Sequence, residues 1–185
     1  MTHSNFPISR RTFAGILAVA VGPLVPTSQA KKLRAEVMPG ANFAQYKTFQ
    51  WLPPKVLTNT GVVENHPVIG PAMRDAIGKA LVSRGLTEVP QGGDLQVSAL
   101  ALTASIPQLE AVVFGGPDMM YGTPLATMGR YNKSGTLVIN LIDAKTNKSA
   151  WVGMIEDTID KEEGAGRKKL PEFAAKLLKK YPNPK

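Results

Sequence analysis

Two long apolar runs, Gly135 to Asp143 and Ala150 to Ile159, flank the turn residues Lys145-Thr146-Asn147-Lys148, and nothing else in the chain limits its fold so strongly. Gly135-Thr136-Leu137-Val138-Ile139-Asn140-Leu141-Ile142-Asp143 is rich in β-branched and apolar side chains, which suit a pleated, buried surface. The return run puts Trp151, Ile155 and Ile159 on one face. The pattern predicts an antiparallel hairpin. A hairpin alone is barely stable in water, so further strands or a packed helix must complete it.

The rest of the chain offers both. Leu33 to Val37 predicts a short strand, and Tyr46-Lys47-Thr48-Phe49-Gln50-Trp51 alternates aromatic with polar residues as a half-buried strand does, until Pro53-Pro54 stops it. Lys55 to His66 has turn residues and no periodicity, and reads as a loop leading to Pro67. From Val68 onward Ile69, Met73, Ile77, Ala80 and Leu81 recur at three and four, one face of a helix that Gly85 ends as a left-handed C′ residue. Gly92-Gly93-Asp94 opens a buried strand from Leu95 to Thr103. After the polar break Glu162 to Gly166, Leu170, Phe173, Ala174, Leu177, Leu178 and Tyr181 form the stripe of a second helix, with Pro171 in its first turn and Pro182 closing it. The expected fold is α+β: a mainly antiparallel sheet with two helices packed on one face, in a single domain over residues 31–185.

Ala104 to Lys133 fits none of these patterns. Pro107, Gly115-Gly116-Pro117, Gly122, Pro124 and Gly129 deny it a regular ladder, and loops of such length in compact domains are usually functional or disordered. Phe114, Met119, Met120 and Tyr121 make it a candidate interaction loop; the alternative is that these side chains fold back on the sheet.

The first thirty residues read as an export address. Ser9-Arg10-Arg11-Thr12-Phe13 leads into an apolar stretch to Val25, and Ser28-Gln29-Ala30 places small residues where a signal peptidase cuts. Arg10, Arg11 and Phe13 resemble the twin-arginine pattern, with Ala30 as the last residue removed; the alternative is a general secretory signal. Gly22, Pro23 and Pro26 break the stretch short of a permanent membrane anchor. The expectation is a periplasmic or otherwise exported protein, met on its way by the twin-arginine translocase and signal peptidase.

Composition narrows the chemistry. With no cysteine, thiol nucleophiles, thiolate metal sites and a lipid-bearing cysteine are excluded. The net charge of +8 favours anionic partners, although lysine groups also serve as ordinary solvated faces. Nucleic acid is excluded as a partner by the export signal and by the lack of basic stretches interleaved with aromatics. His66 is the one histidine beyond the signal, too few for a histidine metal site. Ser83, Ser98, Ser105 and Ser134 lack a nucleophile-elbow setting, and Asp143, Glu156, Asp157 and Asp160 read as solvated turn and strand-end charges. Met119, Met120 and Met128 could offer thioethers to Cu(I) but lack Met-x-x-Met spacing, and Trp51 and Trp151 read as core. No residue is assigned to catalysis, a cofactor or a metal.

Phe43 to Trp51, then Arg84-Gly85-Leu86 with Asp94-Leu95-Gln96-Val97, then Gly135 to Asp143 with Thr146, Trp151, Gly153 and Tyr181-Pro182 resemble, in this order, the bacterial envelope family called domain of unknown function 4136. The resemblance covers most of residues 33–182. It implies a small α+β domain with two helices on a mainly antiparallel sheet, exported and often lipid-anchored, and it implies no activity. The chain departs from the family in lacking a lipobox cysteine and in having Asn140 where an acidic residue is frequent. The function expected is that of a non-enzymatic binding or accessory module of the cell envelope, its partner an envelope protein or an anionic envelope component. The alternative is a hydrolytic or other small-ligand enzyme with a pocket under loop 104–133, closing over Asp143 or His66.

Overall fold

The computed structural model describes residues 32–58, 61–102, 134–158 and 164–182. Residues 1–31, Thr103, residues 104–133 and Ile159 lie outside them. The elements run β1 (Lys32–Val37), β2 (Thr48–Trp51), β3 (Lys55–Thr58), β4 (Gly61–Glu64), α1 (Ile69–Val82), β5 (Thr87–Glu88), β6 (Leu95–Leu102), β7 (Ser134–Asp143), β8 (Lys148–Thr158) and α2 (Ala165–Leu178).

The fold is α+β, and its eight-stranded sheet is mixed rather than mainly antiparallel. The strand order is β1-β8-β7-β6-β2-β5, with β3 also on β6 and β4 on β3. The expected hairpin is present: β7 and β8 pair antiparallel from Ser134↔Thr158 to Asp143↔Lys148, with a register shift after Leu141. β6 and β1 extend it antiparallel on either side. On the far side of β6, however, β2 and β3 run parallel to it, and β5 runs parallel to β2. The cause is α1, which carries the chain back along the sheet before β6 begins, so that β2 and β3 before the helix and β5 and β6 after it point the same way, while β4 runs opposite to β3.

A second correction concerns Lys55 to His66, which is not a loop throughout. Val56 and Val63 pair across the β3–β4 ladder, as do Leu57 and Val62. These strands are four residues each, too short for alternation to stand out from the turn residues around them.

Alternation sorts the sheet into two faces. Leu33, Ile155, Leu137 and Ala101 lie in register across it, and so do Val37, Trp151, Leu141, Val97 and Trp51. Buried members of this set share one cluster with Met73, Ile77 and Leu81 of α1 and Leu170, Phe173 and Leu177 of α2. On the opposite face Leu100, Val138 and Met154 are in register and buried, beside a fully buried Asn140. Two apolar faces explain why β6 and β7 read as continuous apolar runs rather than alternating ones.

The helix ends follow local chemistry. The Gly85 N–H donates to the Val82 carbonyl and the Leu86 N–H to Leu81, a Schellman closure in which Gly85 takes φ 85° as expected. α2 starts earlier than the stripe suggests, at Ala165 after Gly164 at φ 77°. Pro171 therefore sits inside the helix, exposed, not in its first turn, and its missing N–H leaves the Arg167 carbonyl without the usual partner.

Two substitutions test the packing. Leu177 is fully buried, and Leu177→Ala should cost about 2–5 kcal/mol in chemical denaturation. Gly153 lies under the Trp151 ring, where an added Cβ would come within 2.3 Å of it, so Gly153→Ala should cost about 1–3 kcal/mol. An unchanged midpoint for either would remove that contact from the core.

Candidate functional site

Polar side chains converge at the end of the sheet where β7 turns into β8. Asp143 is buried, accepting from the Tyr46 hydroxyl at 2.8 Å and from the backbone N–H groups of Lys145 and Thr146 at 2.8 and 2.9 Å. Burial pushes its carboxyl up, but the bonds from Thr146, Tyr46 and Lys145 outweigh that and hold it below the usual range. Asp94, just before β6, accepts from the Lys47 and Thr48 N–H groups at 2.9 and 3.0 Å and from the Thr48 hydroxyl at 3.0 Å. The Lys47 N–H leads in lowering its pKa against a smaller effect of burial. The Thr48 hydroxyl oxygen in turn accepts the Asp94 N–H at 3.0 Å.

Aromatic rings back this polar end. Phe43 meets Tyr46 and Tyr181 edge to face at 5.6 and 5.2 Å between centroids, and Tyr181 meets Trp151 at 6.2 Å. Burial, then the neighbouring Tyr46, pushes the Tyr181 hydroxyl far up, so it stays protonated. For Tyr46, burial and then the bond to Asp143 act in the same direction. Trp151 is core as expected, whereas Trp51 is half-buried with the Arg74 guanidinium 5.2 Å over its ring.

Asp143 and His66 are not brought together. The His66 ring Nδ1 accepts from the Val68 and Ile69 N–H groups at 3.3 Å, at the start of α1. That end of the sheet holds Ile69, Leu102 and Thr136 around an apolar cavity of about 60 Å³. Asp143 stands nine residues along β7 from Ser134, about 30 Å away at the usual rise per strand residue. Ser83 donates to the Ala80 carbonyl at 2.8 Å, Ser98 is buried on β6, and Asp157 accepts the Thr158 N–H at 2.9 Å. Among the described residues no group of three or more histidine, aspartate or glutamate side chains could hold a metal ion. Arg10, Arg11, Phe13, Ala30, Ser105, Phe114, Met119, Met120, Tyr121, Met128 and Asp160 lie outside the described residues.

The second concentration of functional groups is on the helices. Ile69 shares the apolar cavity with Gly166 and Leu170, while Ser83 and Arg84 share a groove with Leu178 and Lys179, so α1 and α2 run side by side in one direction. Residues 69–85 carry Arg74, Lys79 and Arg84 against Asp75; residues 164–182 carry Arg167, Lys168, Lys169, Lys176, Lys179 and Lys180 against Glu172. The other described residues carry six Lys/Arg against seven Asp/Glu, so the helices hold the whole positive excess. Between them lies a groove of about 410 Å³, with Ala76, Ala80, Ala175 and Leu178 along it and Lys79, Arg84 and Lys179 at its sides. Among the described residues no helix is long and apolar enough to cross a membrane.

A family described as a domain of unknown function, DUF4136, has a model that matches residues 34–183. The chain belongs to the DUF4136 family. A DUF4136 protein of Bacteroides thetaiotaomicron has a similar fold, with a TM-score of 0.59, 12% identity, and coverage of 83% of this chain and 97% of that one. A PDZ domain protein of Parabacteroides distasonis matches at TM-score 0.50 and 14% identity, over 82% of this chain and 36% of its own. PelC of Paraburkholderia phytofirmans, solved as a dodecamer, reaches 0.49 at 16% identity, over 80% of this chain and 95% of its own. No curated protein matches the sequence. At such identities the likeness extends to the fold alone.

Several residues behind the DUF4136 resemblance, Tyr46, Thr48, Asp94, Asp143, Trp151 and Tyr181, gather at the polar end or against its rings, whereas Gly153 pairs with Ile139 in mid-sheet and Gly135 lines the cavity at the other end. Sequence reading took Asp143 for a solvated turn charge and assigned Asp94 no partner. The available signal was Tyr46-Lys47-Thr48 followed by Gly93-Asp94, since a Cβ on Gly93 would come within 2.7 Å of the Phe49–Gln50 backbone. Close approach of that kind puts the next carboxylate beside β2.

Replacing Asp94 with Asn should cost about 2 kcal/mol near pH 6, the worth of hydrogen bonds to a charged acceptor. Because the folded pKa of Asp94 lies below its ordinary 3.8, its stabilisation is complete above that value and fades as pH falls through the lowered one. Denaturation midpoints of wild type and Asp94→Asn should therefore converge below pH 3.8; a gap of constant size would mean that the carboxylate is not held ionised.

Proposed function

We propose that this DUF4136 protein is an exported module of the cell envelope that works by binding, with both helices lying on one face of the sheet as a single cationic layer. The observation that carries the reading is the charge segregation: nine Lys/Arg against two Asp/Glu over residues 69–85 and 164–182, the helices with the residues that close them, and near balance elsewhere in the described residues. Packing alone does not call for it, since the buried faces of α1 and α2 are apolar and Arg74, Lys79, Arg167, Lys168, Lys179 and Lys180 are exposed. Positive charge gathered on one surface attracts and orients anionic partners. The perturbed carboxylates Asp94 and Asp143, meanwhile, are occupied in holding β2 and the β7–β8 turn, which favours binding over acid–base chemistry. Phe114, Met119, Met120 and Tyr121 supply a second contact region in this proposal.

The export half rests on Arg10, Arg11, Phe13 and Ala30. Arg10→Lys with Arg11→Lys should leave uncleaved precursor in the cytoplasm, whereas normal export of the double variant would assign the general secretory route. The binding half is tested by photo-crosslinkers placed in intact cells at exposed Ala175 on α2 and exposed Lys148 at the start of β8. Capture from Ala175 and not from Lys148 is expected. Equal or absent capture would remove the helix layer as the contact surface.

A further inference from the structure

We infer that the groove between α1 and α2 takes an acidic amphipathic segment of polypeptide, an inference that rests on the binding role proposed for the helix layer. The groove combines two requirements. Ala76, Ala80 and Ala175 are short apolar side chains beside the buried Leu178, so the backbones of both helices can be approached closely and an apolar ridge has somewhere to sit. Lys79, Arg84 and Lys179 border that apolar strip from both helices. The one carboxylate among the lining residues, Asp75, pairs with Lys79 at 2.8 Å, so the border keeps a net positive charge, and Lys179 makes no ion pair among the described residues.

An apolar strip with cationic borders is complementary to a chain with apolar residues on one side and carboxylates beside them. A polypeptide segment with glutamate flanking leucine has that pattern at helical spacing, and a third helix laid between two others is an ordinary packing arrangement. A lipid surface matches less well. Its phosphates would meet the outermost lysines, such as Lys168 and Lys180, and leave the recessed alanines unused.

The test uses the purified full chain and three probes: a synthetic leucine–glutamate amphipathic peptide, a leucine–lysine peptide of equal length, and vesicles of phosphatidylglycerol. Fluorescence anisotropy should register binding of the glutamate peptide, weakening with salt, and none of the lysine peptide. Ala175→Glu on α2 and Lys179→Glu just past its end, both at exposed positions, should each weaken binding roughly tenfold or more, and Lys148→Glu should leave it unchanged. Unchanged thermal melting would confirm that the variants fold. Absence of glutamate-peptide binding, or binding indifferent to both α2 substitutions, would overturn the inference, as would vesicle binding in place of peptide binding. Persistent capture from Ala175 in cells would then leave the broader binding role standing, while loss of that capture would remove it as well.

Discussion

Two aspartates lock one end of this sheet, and the register of β2 on β6 depends on Asp94. The chain enters β2 from the turn at Asn42 to Gln45, and the Lys47 and Thr48 N–H groups arrive side by side. Buried or partly buried donors without acceptors are costly. Asp94 meets both, adds the Thr48 hydroxyl, and so positions β2 against the start of β6, where Phe49 pairs with Leu95. Asp143 does the equivalent for the hairpin, joining Tyr46 to the β7–β8 turn across 97 residues of sequence. A two-strand contact as short as β2 on β6 would otherwise be weakly specified, because three paired residues bury little surface of their own.

The sequence was legible where one kind of residue dominates a long element. Gly135 to Asp143, the α1 stripe and the α2 stripe each contain enough apolar side chains at one period to declare both type and face. Gly85 likewise announced its own backbone, since a left-handed residue between Arg84 and Leu86 has few alternatives to glycine. Strand direction was not legible in the same way: it depends on what lies between strands, and β3, β4, α1 and β6 form a crossover only once β3 and β4 are recognised as strands. With Lys55 to His66 read as a loop, the β3–β6 pair was hidden, although β2 and β6, which also pair parallel, were both read as strands on either side of α1. Pro171 misled for a related reason. Proline is common in first turns, but an exposed position further along lets the ring stand clear of the core, so the start at Ala165 outweighs the local preference.

The candidate site was legible only in part, because carboxylates look alike in a sequence whether they face water, a substrate or a backbone amide. Asp143 precedes a turn and so resembles any solvated turn aspartate, yet Tyr46 closes over it from almost a hundred residues away. The basic grouping of α2 was visible from the start, but not that α1 would bring Lys79 and Arg84 beside it. That juxtaposition follows from the parallel course of the two helices, which is itself a consequence of the mixed sheet.

What the DUF4136 signature encodes and where a partner would bind are therefore separate questions. Tyr46, Thr48, Asp94, Asp143, Trp151, Gly153 and Tyr181 are consumed by hydrogen bonds, ring packing or the room that a neighbour needs, and a residue so engaged cannot change without moving the sheet. Lys179 and Ala175 are under no such constraint: both are exposed and neither is in the buried cluster. The family likeness accordingly bears on the scaffold, with its two helices held side by side by a common core, and not on the outward surface of those helices. In the proposed binding role, specificity would reside in the short residues along the groove and the charges beside it, and exposed positions such as Ala175 and Lys179 can be exchanged one at a time at little cost to folding.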